Sequence, residues 1–214
     1  MARLVRIQAP DLIRHVISRG NGRQTDFLDD RDYRQFVHLL GEVVTECKID
    51  CWNYCVMPNH YHATLQPTLP NLSEAVRRLN SSYAQWWNKR HDRVGHVFQG
   101  RFKDQIVDRE GYLLTLTRYV VMNPVRARLV QTPDAWRWSS YRATVGMCHP
   151  PPFLATTRTL GLFGDAEPSV LQSRFGVFVG ATPDEADVDR IQSNEKILGG
   201  REFKELLAAG QTVA

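Results

Sequence analysis

The 214-residue chain has no run of about 18 apolar residues, the length a membrane-spanning helix needs, and no internal repeat or low-complexity tract. Its opening stretch, MARLVRIQAPDLIRH, lacks the apolar core of a secretory signal. A cytoplasmic protein with no membrane partner is therefore expected. Cysteine is scarce: four in a chain this long do not make a disulfide scaffold. Cys47, Cys51 and Cys55 follow a C-x3-C-x3-C spacing, but one helical face cannot carry all three across a helix–strand boundary. They read as small apolar residues and not as zinc ligands. Lysine is scarce too. Residues 1–146 hold 21 Lys and Arg, of which only Lys48, Lys89 and Lys103 are lysines.

Arginine is what fills that gap, and its planar fork suits phosphate oxygens and base edges. The same 146 residues hold 14 Asp and Glu, for a net +7, while residues 147–214 carry 6 basic against 9 acidic side chains, a net −3. A basic body with an acidic tail suggests nucleic acid as the partner. The expected division is a main domain at 1–146 and an acidic accessory region at 147–214, joined by a CHPPP linker at 148–152.

The pattern of apolar residues orders the main domain. A strand over 11–19 ends in a Gly-Asn-Gly turn, and a helix capped by Asp29 or Asp30 follows it. Strands at 49–57 and 60–66 flank a tight Met57-Pro58-Asn59-His60 turn. A helix over 72–90 buries Leu72, Val76, Leu79, Tyr83 and Trp86. A strand near 101–108 leads to a third helix from about Glu110 to Met122, because Pro124 disfavours helical geometry at Asn123. The fold class is therefore α+β. A ferredoxin-like, RRM-like β-α-β-β-α-β antiparallel sheet carries both crossover helices on one face. The other face is open for a ligand or for the third helix.

His60 and His62 share one strand face, since side chains two apart point the same way. Tyr119 and Asn123 lie one turn apart on a helix. Two imidazoles, an amide oxygen and a phenol suit a divalent metal with a nucleophile beside it, which points to phosphoryl transfer on nucleic acid. Each feature also has a plainer reading: His-x-His is common polar surface, and a helical tyrosine commonly packs a core. His15 competes as a ligand, although a strand histidine of that kind serves equally as a hydrogen-bonded structural residue.

Three separated stretches resemble the HUH single-tyrosine transposases (IS200-like), with the REP-associated tyrosine transposases as the nearest branch. They are Met57-Pro58-Asn59-His60-Tyr61-His62, Phe98-Gln99-Gly100-Arg101-Phe102-Lys103 and Arg118-Tyr119-Val120-Val121-Met122-Asn123-Pro124-Val125-Arg126-Ala127. His15-Val16-Ile17-Ser18-Arg19-Gly20-Asn21 and Trp138-Ser139-Ser140-Tyr141 also fit, so the likeness runs from about residue 3 to 145. The resemblance implies His60, His62 and Asn123 as ligands of Mg²⁺ or Mn²⁺ and Tyr119 as the nucleophile, with no nucleotide cofactor. It implies a transposase and endonuclease that binds single-stranded hairpin DNA, cuts through a 5′-phosphotyrosine and rejoins strands. Either a monomer or a homodimer is compatible with it.

Arg19, Arg23, Arg77, Arg78, Arg101, Lys103 and Arg126 are the expected DNA contacts. Trp86, Trp87, Trp136 and Trp138 could stack on bases, though packing suits most of them better. Two alternatives remain open at this point. One is a hairpin-binding protein that does not cut, and the other is a metal nuclease that uses water.

Overall fold

The computed structural model describes residues 9–193 and 195–209. The opening stretch up to residue 8, where the reading against a signal segment and the start of the family likeness fall, lies outside them. So do residue 194 and residues 210–214 of the accessory region.

The chain builds the expected unit in the expected order. Strand β1 (Ile13–Arg19), helix α1 (Asp30–Glu46), strands β2 (Ile49–Met57) and β3 (His60–Pro67), helix α2 (Leu72–His91) and strand β4 (Lys103–Val107) come first. Helix α3 (Leu113–Arg126) follows. The strands lie in the order β2-β3-β1-β4, each antiparallel to its neighbour. Asp29 caps α1 by accepting from the Arg31 and Asp32 backbone N–H groups. The turn after β1 requires glycine at position 20, because a Cβ there would meet Asp26 Oδ2 at 2.2 Å and the Gln24 carbonyl at 2.5 Å.

Side-chain alternation gives the sheet two apolar faces. On one, Val16, Tyr61, Ala63 and Leu65 pack against Phe36, Leu40 and Val44 of α1 and Val76, Leu79 and Tyr83 of α2. On the other, Ile13, Trp52, Cys55, Met57 and Val107 pack against Leu113, Leu116 and Val120 of α3. Of the two occupants expected for this face, a ligand or the third helix, it is α3 that crosses it. In α2 the buried residue of the indole pair is Trp87 and not Trp86, because the stripe steps four residues on from Tyr83.

Helix α3 runs four residues past the end expected from Pro124. Proline removes the N–H that would bond the Val120 carbonyl. The Asn123 side chain replaces that donor, since its Nδ2 donates to Tyr119 O at 2.9 Å and lies 3.4 Å from Val120 O. The helix also starts later than expected, at Leu113.

Residues beyond 146 form α5 (Thr156–Gly161), α6 (Pro168–Gly180), α7 (Glu185–Gln192), β5 (Ile197–Leu198) and α8 (Arg201–Ala208), after a short α4 (Tyr141–Thr144). Strand β5 adds a fifth, parallel strand beside β4, an element that the sequence pattern does not reveal. Val188 and Ile191 of α7 join the face covered by α3. Phe175 and Val179 of α6 pack on Val121. No helix among the described residues is long and apolar enough to cross a membrane.

Candidate metal and nucleophile site

The site forms where α3 crosses β3 and β1. His60 and His62 project from β3 with ring centroids 5.0 Å apart. His15 of β1 stacks on His62 at 5.1 Å. The Tyr119 ring meets both edge-on, 5.7 Å from His62 and 6.2 Å from His15. The histidine pair and the tyrosine of one chain therefore share one site. A β-bulge at Cys51–Asn53 turns Asn53 toward this face. There its Nδ2 donates to Thr117 Oγ1 at 2.9 Å, and its Oδ1 accepts from Thr64 Oγ1 at 2.8 Å. That buried bridge ties the sheet, two residues from His62, to the helix, two residues from Tyr119.

Burial controls the charge state of the rings. It pushes His60 down to about 4, with the Arg19 charge adding to the effect. Burial does the same to His15, also to about 4, against the opposing effect of its hydrogen bond to the Gln105 side chain. It holds His62 well below the ordinary imidazole range, with His60, His15 and Arg19 reinforcing it. All three are neutral at pH 7, the form that donates a lone pair to a metal. His60 spends Nδ1 on Asn59 Oδ1 at 2.7 Å and His62 spends Nδ1 on His15 Nε2 at 2.8 Å, which leaves Nε2 of each for a ligand.

Among the described residues no group of three His, Cys, Asp or Glu is gathered to hold a metal. A third protein donor would have to be of another type; Asn123, the one expected from the sequence, is buried on α3 one turn beyond Tyr119. Its nitrogen is committed to helix carbonyls, so the amide oxygen is the atom left over. The donor set of two imidazoles and one amide oxygen fits a divalent ion that keeps open positions for phosphate oxygens.

Burial raises the Tyr119 phenol above its ordinary value; a hydrogen bond with the Gln192 side chain and the charges of Arg126 and Arg19 oppose that rise. The Arg126 guanidinium lies 6.0 Å from the ring centre. Arg118 points elsewhere, over Phe178 at 3.8 Å.

The family model described as "Transposase IS200 like" matches residues 8–123, more than half of the chain. The chain belongs to the IS200-like transposase family. No curated protein sequence matches it. A solved REP-associated tyrosine transposase bound to a REP hairpin shares its fold at 16% identity, with a TM-score of 0.61 over 72% of this chain and 92% of that one. A putative transposase from Deinococcus radiodurans has 17% identity and a TM-score of 0.40, over 63% of this chain and 98% of its own.

In this IS200-like transposase the basic residues named from sequence fall into two groups. Arg19, Arg23, Arg101, Lys103 and Arg126 are all exposed. Arg19 pairs in register with His60, the Arg23 carbonyl accepts from Asn59, and Arg126 lies by Tyr119, so these three flank the site. Arg77 and Arg78 lie apart on α2, across the sheet, paired with Glu74 and Glu46. The tryptophans are packing residues: Trp87 is buried, Trp86 and Trp136 pack on the core, and Trp138 stacks on Tyr33 at 4.8 Å. Cys51 and Cys55 are buried and free. Sequence reasoning missed Gln105, Gln192 and Asn53, because only strand register and the packing of α7 bring them to the site.

Proposed function

We propose that this transposase cuts and rejoins single-stranded DNA beside a hairpin, with Tyr119 as nucleophile and a divalent metal as cofactor. The observation that carries this reading is the Tyr119 ring packed edge-on against His62, beside His60 on the same strand face. Family membership supplies the reaction class. The REP hairpin bound by the structurally similar protein suggests hairpin DNA as the ligand here.

In this reaction the phenol oxygen of Tyr119 attacks the phosphorus of a flanking phosphodiester. The bond from phosphorus to the 3′ oxygen breaks. The product is a 5′-phosphotyrosine and a free 3′-OH, which ends with the proton the phenol gave up. Attack by a 3′-OH on the phosphotyrosine reverses the step, restores the phenol and joins strands without ATP. Arg126 and Arg19 favour the phenolate and attract the phosphate into line. His60 Nε2, His62 Nε2 and the Asn123 oxygen would hold Mg²⁺ or Mn²⁺. When bound, the ion would polarise the phosphate and orient the scissile bond.

Arg19, Arg23, Arg101 and Lys103 would follow the DNA backbone near the site, with Arg77 and Arg78 as remote phosphate contacts. Because one chain carries both the histidines and the tyrosine, a monomer acting in cis is the proposed catalytic unit. The main domain at 1–146 would carry the chemistry and 147–214 would support it. The protein would act on DNA in the cytoplasm.

The test uses hairpin DNA labelled at either end, incubated with Mn²⁺ and run on a denaturing protein gel. A 3′-end label should travel with the protein and a 5′-end label should be released. Tyr119→Phe should abolish the adduct while hairpin binding persists. Cleavage that survives Tyr119→Phe without any adduct would make the protein a water-using nuclease. Binding without cleavage by the wild type would make it a hairpin-binding protein.

A further inference from the structure

One buried chain of hydrogen bonds leads from the C-terminal region to His62, and its direction can be worked out from its far end. The Gln105 Nε2 lies 3.0 Å from the backbone carbonyl of Glu195, which only accepts. That contact fixes the amide so that Oε1 faces His15. The Gln105 Oε1 lies 2.9 Å from His15 Nδ1, and an amide oxygen only accepts, so His15 carries its proton on Nδ1. His15 Nε2 is then a lone pair. It lies 2.8 Å from His62 Nδ1, so His62 must donate from Nδ1 and hold its own lone pair on Nε2.

We propose that Gln105 and His15 are positioning residues that set the His62 tautomer, and that the Glu195 carbonyl anchors them. They touch no substrate; they decide which nitrogen of His62 is free to bind metal. His60 reaches the same state by a shorter path. Asn59 Nδ2 donates to the Arg23 carbonyl at 3.2 Å, which turns Asn59 Oδ1 toward His60 Nδ1 at 2.7 Å. A ligating histidine that donates its other N–H to a fixed acceptor is a general device for aiming the ring and fixing the tautomer. The strand register that pairs His15 with Gln105 places this device on β1 and β4, outside the histidine motif.

If Gln105 loses its acceptor, the buried His15 Nδ1–H has no partner. The cheaper arrangement moves both protons: His15 donates from Nε2 to His62 Nδ1, and His62 takes its proton on Nε2, where it competes with metal. The metal half of this inference rests on the proposed metal site; the tautomer half does not.

Long-range ¹H–¹⁵N correlation spectra of the metal-free full-length protein read the tautomers, and Mn²⁺ titration reads the affinity. Wild type should show His15, His60 and His62 protonated on Nδ1. Gln105→Met and His15→Met should move the His62 proton to Nε2 and weaken Mn²⁺ binding about 10- to 100-fold. His15→Gln, whose amide oxygen can take the His62 Nδ1–H, should keep wild-type tautomer and affinity. A wild-type His62 protonated on Nε2 overturns the inference, as does a folded Gln105→Met with unchanged tautomer and affinity. Should the variants fail to fold, the wild-type spectrum alone decides. Wild type with the stated tautomers but no Mn²⁺ binding would support the relay and contradict the metal site.

Discussion

At the scale of single residues, Asn123 joins two roles that one substitution can separate. Its nitrogen bonds the Tyr119 carbonyl and reaches the Val120 carbonyl that Pro124 leaves open, and its oxygen is the proposed metal donor. Asn123→Asp keeps an oxygen for the metal but sets the other against helix carbonyls. Chemical denaturation should show a loss of about 1–3 kcal/mol while Mn²⁺ binding is retained. Asn123→Leu should lose both. Retained stability in Asn123→Asp would show that the helix does not depend on this amide. His60, His62 and Tyr119 were legible in the sequence because each motif lies within one element, where spacing alone fixes the shared face. Gln105 was not, since it meets His15 only through strand pairing across 90 positions. Gln192 reaches Tyr119 only after α7 has docked.

At the scale of elements, the relation of α3 to the sheet decides whether Tyr119 reaches His62. The Asn53–Thr117 bridge is a polar tie between them of which the sequence shows no sign, because it depends on the bulge that turns Asn53 inward. Asn53→Ala leaves the Thr64 and Thr117 hydroxyls without that amide. It should destabilise the fold by about 1–3 kcal/mol, and adduct formation should fall more than hairpin binding. Equal loss of both would place the bridge's effect in stability alone. The strand–helix order was legible from alternating and helical periodicity, and the caps followed local chemistry, as at Asp29. The end of α3 was not, since proline's preference for ending a helix was overridden by a side-chain donor one residue before it. The fifth strand was hidden for another reason: a two-residue strand has no periodicity to read.

At the scale of the whole molecule, the sum of buried titrating groups sets how stability responds to pH. His15 and His60 fall to about 4, and His62 falls well below its ordinary value. Between about 4 and 6.5 the unfolded chain binds protons that these folded rings refuse, so stability drops as pH falls through that window. Asp26 acts in the opposite sense. Burial raises its carboxyl to about 7 from an ordinary 3.8, so between those values the folded state holds the extra proton and stability drops as pH rises. Three histidines outweigh one aspartate. Urea midpoints should therefore fall from about pH 6.5 to about pH 4.5, and less steeply than in Asp26→Asn. A flat profile would mean the three rings are not buried neutral together.

The C-terminal region also has a part in the site, since Gln192 bonds Tyr119 and the Glu195 carbonyl holds Gln105. The central claim is that Tyr119 is the residue that joins DNA. Mass spectrometry of a tryptic digest after reaction with hairpin DNA and Mn²⁺ tests it directly. The peptide from Tyr119 to Arg126 should carry a 5′-phosphate-linked nucleotide on the tyrosine. Adduct mapped to any other residue, or cut DNA with that peptide unmodified, would contradict the claim.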